Sequence, residues 1–112
     1  MTNTAKTFRK VAILGGKRTP FVKSMGAYSK TTNQQMLTEV LNHLVTDYKL
    51  EGKKLGEVAA GALITNTSDW NLTRESILGT KLHPHTPGYN VQRACGTSLD
   101  TSLQIALKIA AG

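Results

Sequence analysis

At 112 residues the chain has room for one modest domain, and its longest apolar stretches fall far short of the roughly 18–20 residues a membrane-spanning helix needs. Its 39% apolar and 19% charged composition is that of an ordinary globular protein, and its single cysteine excludes an internal disulfide, so nothing argues for an oxidising compartment. The net charge of +7 is unevenly placed: residues 1–30 hold Lys6, Arg9, Lys10, Lys17, Arg18, Lys23 and Lys30 and no acid, whereas the other seven basic residues are balanced by all seven acids.

Residues 1–10 read as a polar, basic N-terminal extension. No apolar core follows them, so a secretory signal is not expected, and they lack the length and amphipathic face of a transit peptide. The basic front suits a membrane surface, a phosphorylated ligand or a solvated rim. It does not suit nucleic acid: aromatics are 5% of the chain, and no helix-turn-helix, RNA-recognition or zinc-ligand spacing is present. A cytoplasmic or organelle-matrix location is the expectation.

Residues 11–14 (Val11, Ala12, Ile13, Leu14), ending in Gly15-Gly16, predict a buried strand and a turn. Pro20 cannot continue a central strand, and residues 17–31 read as a loop. Thr32 or Asn33 offers an N-cap. Behind it Met36, Leu37, Val40, Leu41, Leu44 and Val45 recur at three- and four-residue spacing, which predicts an amphipathic helix ending near Lys49, with Gly52 at its exit. Residues 58–64, rich in Ala and Gly, predict a second buried strand packed closely against a neighbour. A loop over 65–70, a short helix over 71–78 and a rigid connector from His83 to Gly88 follow. Residues 89–92 predict a third strand. Thr97 or Ser98 is placed to cap a last helix whose Leu99, Leu103, Ala106, Leu107 and Ala110 share one face. The order β-α-β-α-β-α argues an α/β fold, a mixed sheet with covering helices. The chain stops at the end of that helix, and a longer protein is expected to go on.

Cys95 lies at the predicted junction of the third strand and the last helix. There the unpaired N–H groups and the positive end of the helix dipole favour a thiolate and a nearby oxyanion, and Gly96, without a Cβ, allows close approach. A helix terminus supplies about 0.3–1 kcal/mol, up to ~2 when partly buried. That is too little to make an efficient nucleophile near neutral pH, and a neighbouring base must help. From the residues alone, Cys95 is as readily a small buried core residue as a nucleophile.

Four stretches resolve that choice by resemblance. Lys17-Arg18-Thr19-Pro20-Phe21, the helix segment over 72–78 with Arg74, residues 87–93 leading to the cysteine, and Ala94-Cys95-Gly96-Thr97-Ser98-Leu99 together resemble the N-terminal part of a thiolase, an acyl-CoA C-acyltransferase. The first and last are the specific ones. The resemblance implies that residues 11–112 are the N-terminal part of a thiolase N-terminal domain, with the C-terminal domain absent from this chain. It further implies that Cys95 is the catalytic nucleophile carrying an acyl thioester, with its backbone N–H as an oxyanion donor. Coenzyme A or acyl-CoA would be a substrate and not a permanently bound cofactor. A homodimer or homotetramer, the missing C-terminal half, and a role in fatty-acid metabolism such as β-oxidation are implied in the same way. The family's activating histidine and second cysteine belong to its C-terminal half and have no counterpart here. Positions 97–100 (Thr97, Ser98, Leu99, Asp100) depart from the commoner Ser-Gly-Leu-Gln, which suggests a subgroup with its own substrate range.

A ketoacyl synthase or hydroxymethylglutaryl-CoA synthase would use a cysteine at the same junction, but the Arg18-Thr19-Pro20 start favours a thiolase. The rival from another class is a basic, non-catalytic interaction module. His43 is expected at a rim or interface. His83 and His85 have an H-x-H spacing, yet no further ligands stand at metal-binding spacing, and they read as turn residues. Arg18 is expected to brace the fold or an interface and not to take part in the chemistry. Trp70 reads either as a packing plug or as a contact for a partner chain.

Overall fold

The computed structural model describes residues 7–112, so the N-terminal extension expected over residues 1–10 lies mostly outside the described residues. Five elements follow in order: α1 (Asn33–Asp47), β1 (Val58–Ala60), α2 (Leu72–Leu78), β2 (Gly88–Asn90) and α3 (Thr97–Ala111), with a 3₁₀ turn at Ala94–Gly96 before α3.

Thr32 starts α1 through a capping box. Its hydroxyl accepts from the Gln35 N–H at 3.1 Å, and the Gln35 side chain accepts from the Thr32 N–H at 2.9 Å. The helix stops in a Schellman arrangement, with Leu50 N–H donating to Val45 O at 2.9 Å and Lys49 N–H to Thr46 O at 3.3 Å. Lys49 takes the left-handed position, φ 54°, that glycine more often fills.

The core gathers around α2. Asn71 caps it, accepting from Arg74 N–H at 3.0 Å, and also donates to Gly88 O at 3.3 Å, which fastens the helix start to β2. Leu72, Thr73, Ser76 and Ile77 are all buried, Ile77 completely, and Val45 of α1 and Leu82 complete the apolar centre. Gly88 lets β2 approach: a Cβ there would lie 2.4 Å from Ile77 Cδ1. Thr73 donates its N–H and hydroxyl to Asn90 Oδ1, at 2.9 and 2.6 Å.

β1 and β2 pair in parallel, Val58 opposite Gly88 and Ala60 opposite Asn90. Parallel neighbours need a crossover, and α2 lies on the connection that supplies it. The architecture is thus mixed α/β, with a two-stranded parallel sheet among the described residues.

Three sequence expectations are corrected. Residues 11–14 form no strand, and Ile13 and Leu14 are 92% and 78% exposed. This segment runs beside α3, where Arg9 N–H bonds Ala110 O at 2.9 Å, and not in register with a strand whose ladder would define it. The strand predicted over 58–64 ends at Ala60, and Leu63 and Ile64 are exposed. Beyond Ala60 the backbones of Gly61 and Val91 press together, so that a Cβ on Gly61 would meet Val91 O at 2.0 Å, and the chain turns off. The third strand spans 88–90 and not 89–92. The described order is therefore α-β-α-β-α.

Candidate active site

Past β2, the Val91 N–H still bonds Ala60 O at 2.9 Å, and the chain then breaks into the elbow that carries Cys95. Ala94, immediately before the cysteine, sits at φ 46°. A side chain in that left-handed region costs about 1–2 kcal/mol, so neighbouring groups must hold it there. They capture the backbone from both sides. Gln92 Oε1 accepts from the Ala94 N–H at 2.6 Å, while Gln92 Nε2 donates to Leu63 O at 2.6 Å and Ala62 O at 3.1 Å. Thr97 Oγ1 donates to Ala94 O at 2.9 Å and accepts from the Arg93 N–H at 3.0 Å. One carboxamide and one hydroxyl thus tie the elbow to the chain beyond β1 and to the head of α3.

Thr97 was expected, with Ser98, as the cap of the last helix. The N-cap is instead Gly96, which has no side chain to bond the first turn, because the Thr97 hydroxyl reaches backwards to Ala94 and Arg93. The first-turn N–H groups of α3 therefore lack a side-chain acceptor at the place where the helix dipole is positive.

A polar chain braces the other side of the elbow. Arg93 Nε lies 3.1 Å from Asp100 Oδ2, Gln104 Nε2 donates to the same oxygen at 3.1 Å, and Tyr89 OH donates to Gln104 Oε1 at 2.8 Å. Lys108 Nζ stands 4.4 Å from the centre of the Tyr89 ring and bonds Glu57, whose carboxylate raises the lysine amine above its ordinary range.

Cys95 itself is exposed, on the 3₁₀ turn, and no hydrogen bond to it is formed among the described residues. None of the three histidines is beside it as a base. His43 pairs with Glu39 across one turn of α1 at 3.3 Å, and His83 Nδ1 accepts from the His85 N–H at 3.1 Å, the two rings meeting edge to face. No group of three His, Cys, Asp or Glu able to hold a metal occurs among the described residues. Arg18 stacks on Phe21, 3.5 Å from the ring centre, and Arg74 donates to Thr86 O at 2.8 Å. Trp70 is 79% exposed and so plugs nothing among the described residues. Lys17 pairs with Asp47 at 2.9 Å, and most of the described basic front is exposed.

The elbow position of Cys95 was legible from the run of strand, Gly and helix former. The struts around it were not. Gln92, Arg93, Asp100 and Gln104 look like surface polar residues in sequence, and the partners of Gln92 at 62–63 lie some thirty positions away.

Two depressions flank this framework. One of about 510 Å³ lies between α1 and residues 61–64, and another of about 520 Å³ separates residues 11–15 from α3. Neither includes Cys95. No helix of the described residues is long and apolar enough to cross a membrane.

Comparison with known proteins agrees with the resemblance in the motifs. The family model described as "Thiolase, N-terminal domain" matches residues 11–112. The 3-ketoacyl-CoA thiolases of Shewanella pealeana and Shewanella denitrificans are each 32% identical over 103 residues, and that of Shewanella amazonensis is 33% identical over the same length. The alignments cover 92% of this chain and 24% of each relative, so the chain spans about a quarter of the length of the curated relatives it matches. The chain belongs to the thiolase family, matched over residues 11–112 by the model of its N-terminal domain.

Proposed function

We propose that this chain supplies the acyl-accepting part of a 3-ketoacyl-CoA thiolase, with Cys95 as the nucleophile. The observation that carries the reading is the placement of Cys95: exposed, on a held turn at the uncapped start of a fifteen-residue helix, inside the stretch matched to the thiolase N-terminal domain. The thiolate attacks the keto carbon of a 3-ketoacyl-CoA. The bond between the keto carbon and the carbon next to the thioester breaks, and its electron pair leaves as the acetyl-CoA enolate, which takes up a proton. The acyl group stays on Cys95 as a thioester until the thiolate of a second coenzyme A displaces it. Condensation is the same path reversed.

Two proton carriers are needed, a base for the thiol and an acid/base for the enolate carbon. His43 and His83 are engaged elsewhere, and no second cysteine is present. Both carriers, the acyl-binding walls and the homo-oligomeric partner therefore belong to the wider protein, and the 112-residue chain alone does not turn over. Coenzyme A enters as substrate, with no permanently bound cofactor.

Incubating the complete protein with acetyl-CoA and mapping the adduct by mass spectrometry tests the reading. An acetyl group on Cys95 in the wild type and none in Cys95→Ser is the expected result, since serine is a far poorer nucleophile near pH 7 without a dedicated base. A label on another residue, or an acetylated serine variant, rejects it.

A further inference from the structure

Ala94 has no intrinsic preference for φ 46°, and only glycine adopts such a conformation freely. What keeps it there is visible in the bonds around it. The Gln92 carboxamide spends both ends on the elbow, one on the Ala94 N–H and the other on the carbonyls of Ala62 and Leu63, and Thr97 takes the Ala94 carbonyl. The Ala62 and Leu63 carbonyls lie two and three residues past the end of β1, so the anchor is backbone and not a side chain. Loss of the Gln92 bonds would let Ala94 relax towards φ < 0, and a rotation one residue before Cys95 displaces its sulfur.

We propose that Gln92, acting with Thr97, is a positioning residue for Cys95: it holds Ala94 left-handed and thereby aims the thiol. This rests on the reading of Cys95 as the acyl acceptor. A small electrophile needs only an accessible thiol, whereas acyl transfer from a bound thioester needs the sulfur on line, and a misplacement of about 1 Å can cost on the order of a hundredfold. The two reactions therefore separate aim from reactivity.

In the complete protein, Gln92→Ala is expected to slow acylation of Cys95 at saturating acetyl-CoA by about ten- to a hundredfold, with KM and the rate of iodoacetamide alkylation both near wild type. Ala94→Gly in the same chain removes the conformational penalty and should restore part of the lost acylation rate, a rescue that a merely stabilising role of Gln92 would not show. Thr97→Ser, which keeps the hydroxyl, should stay close to wild type while Thr97→Val falls. This second pair decides the matter if Gln92→Ala loosens the fold. Wild-type acylation in Gln92→Ala, a loss that Ala94→Gly leaves unrepaired, an equal loss of alkylation, or equal rates for the two Thr97 variants each overturns the positioning role. Absence of any acyl group on wild-type Cys95 overturns both this inference and the proposed function. Its presence, with Gln92→Ala unaffected, overturns the positioning role alone.

Discussion

The seven residues of α2 and the fifteen of α3 are packed in opposite ways. Four of seven side chains in α2 are buried, and the helix is enclosed by α1, both strands and the connector, where Arg74 bonds Thr86 O. In α3 only Thr97 and Thr101 are buried, while Leu99, Leu103 and Leu107 are 69%, 53% and 65% exposed. The longer and more apolar helix thus contributes less to the core. A helix buries its apolar face only where another surface meets it. Among the described residues that surface exists for α2, whereas α3 has one side on β1 and residues 11–15 across an open groove.

The contrast is broken most directly by equal truncations on the two helices. In urea unfolding of the 112-residue chain followed by circular dichroism, Ile77→Ala should lose about 2–5 kcal/mol, because the side chain is fully buried and leaves a cavity. Leu103→Ala should change stability by less than about 0.5 kcal/mol. Similar losses for the two would mean that α3 is packed as tightly as α2.

A smaller loss is expected where β1 ends. Gly61→Ala places a methyl group 2.0 Å from Val91 O and 2.8 Å from Thr97 Cγ2, so backbone must shift, at about 1–3 kcal/mol. The same displacement passes through Thr97 to the elbow, so the variant should also lower Cys95 acylation in the complete protein. A melting curve identical to wild type would show that the approach of the two backbones is looser than described.

The smallest effect runs the other way. Ser76 Oγ, on the enclosed helix, is the buried side-chain oxygen left without a hydrogen-bond partner among the described residues. Removing an unpaired buried hydroxyl relieves its desolvation, so Ser76→Ala should raise stability by about 1 kcal/mol, read by the same urea titration. A loss there would reveal a partner for the hydroxyl and a more polar α2 environment.

Local chemistry carried much of this protein into view from its sequence. Thr32 followed by Gln35 marks the start of α1, and the apolar spacing through Val45 marks its length, because capping and 3.6-residue periodicity act within a few positions of themselves. The short helix after Asn71 and the elbow at Cys95 were legible for the same reason, and the motif around the cysteine led to the family. Burial was not legible. Residues 11–14 and Leu63-Ile64 have the composition of buried strands, yet a strand exists only beside a partner in register, and the ladder here stops at Ala60 and Asn90. Nor could the role of Gln92 be read from its neighbours in sequence. Its carboxamide acquires meaning only when β1 and β2 lie parallel and bring the carbonyls of residues 62 and 63 to the left-handed turn at Ala94. Composition and spacing determined which segments are helices and which residue stands at the junction. The tertiary structure decided which apolar faces are covered and which side chains hold the cysteine's turn, because both depend on contacts between residues distant along the chain.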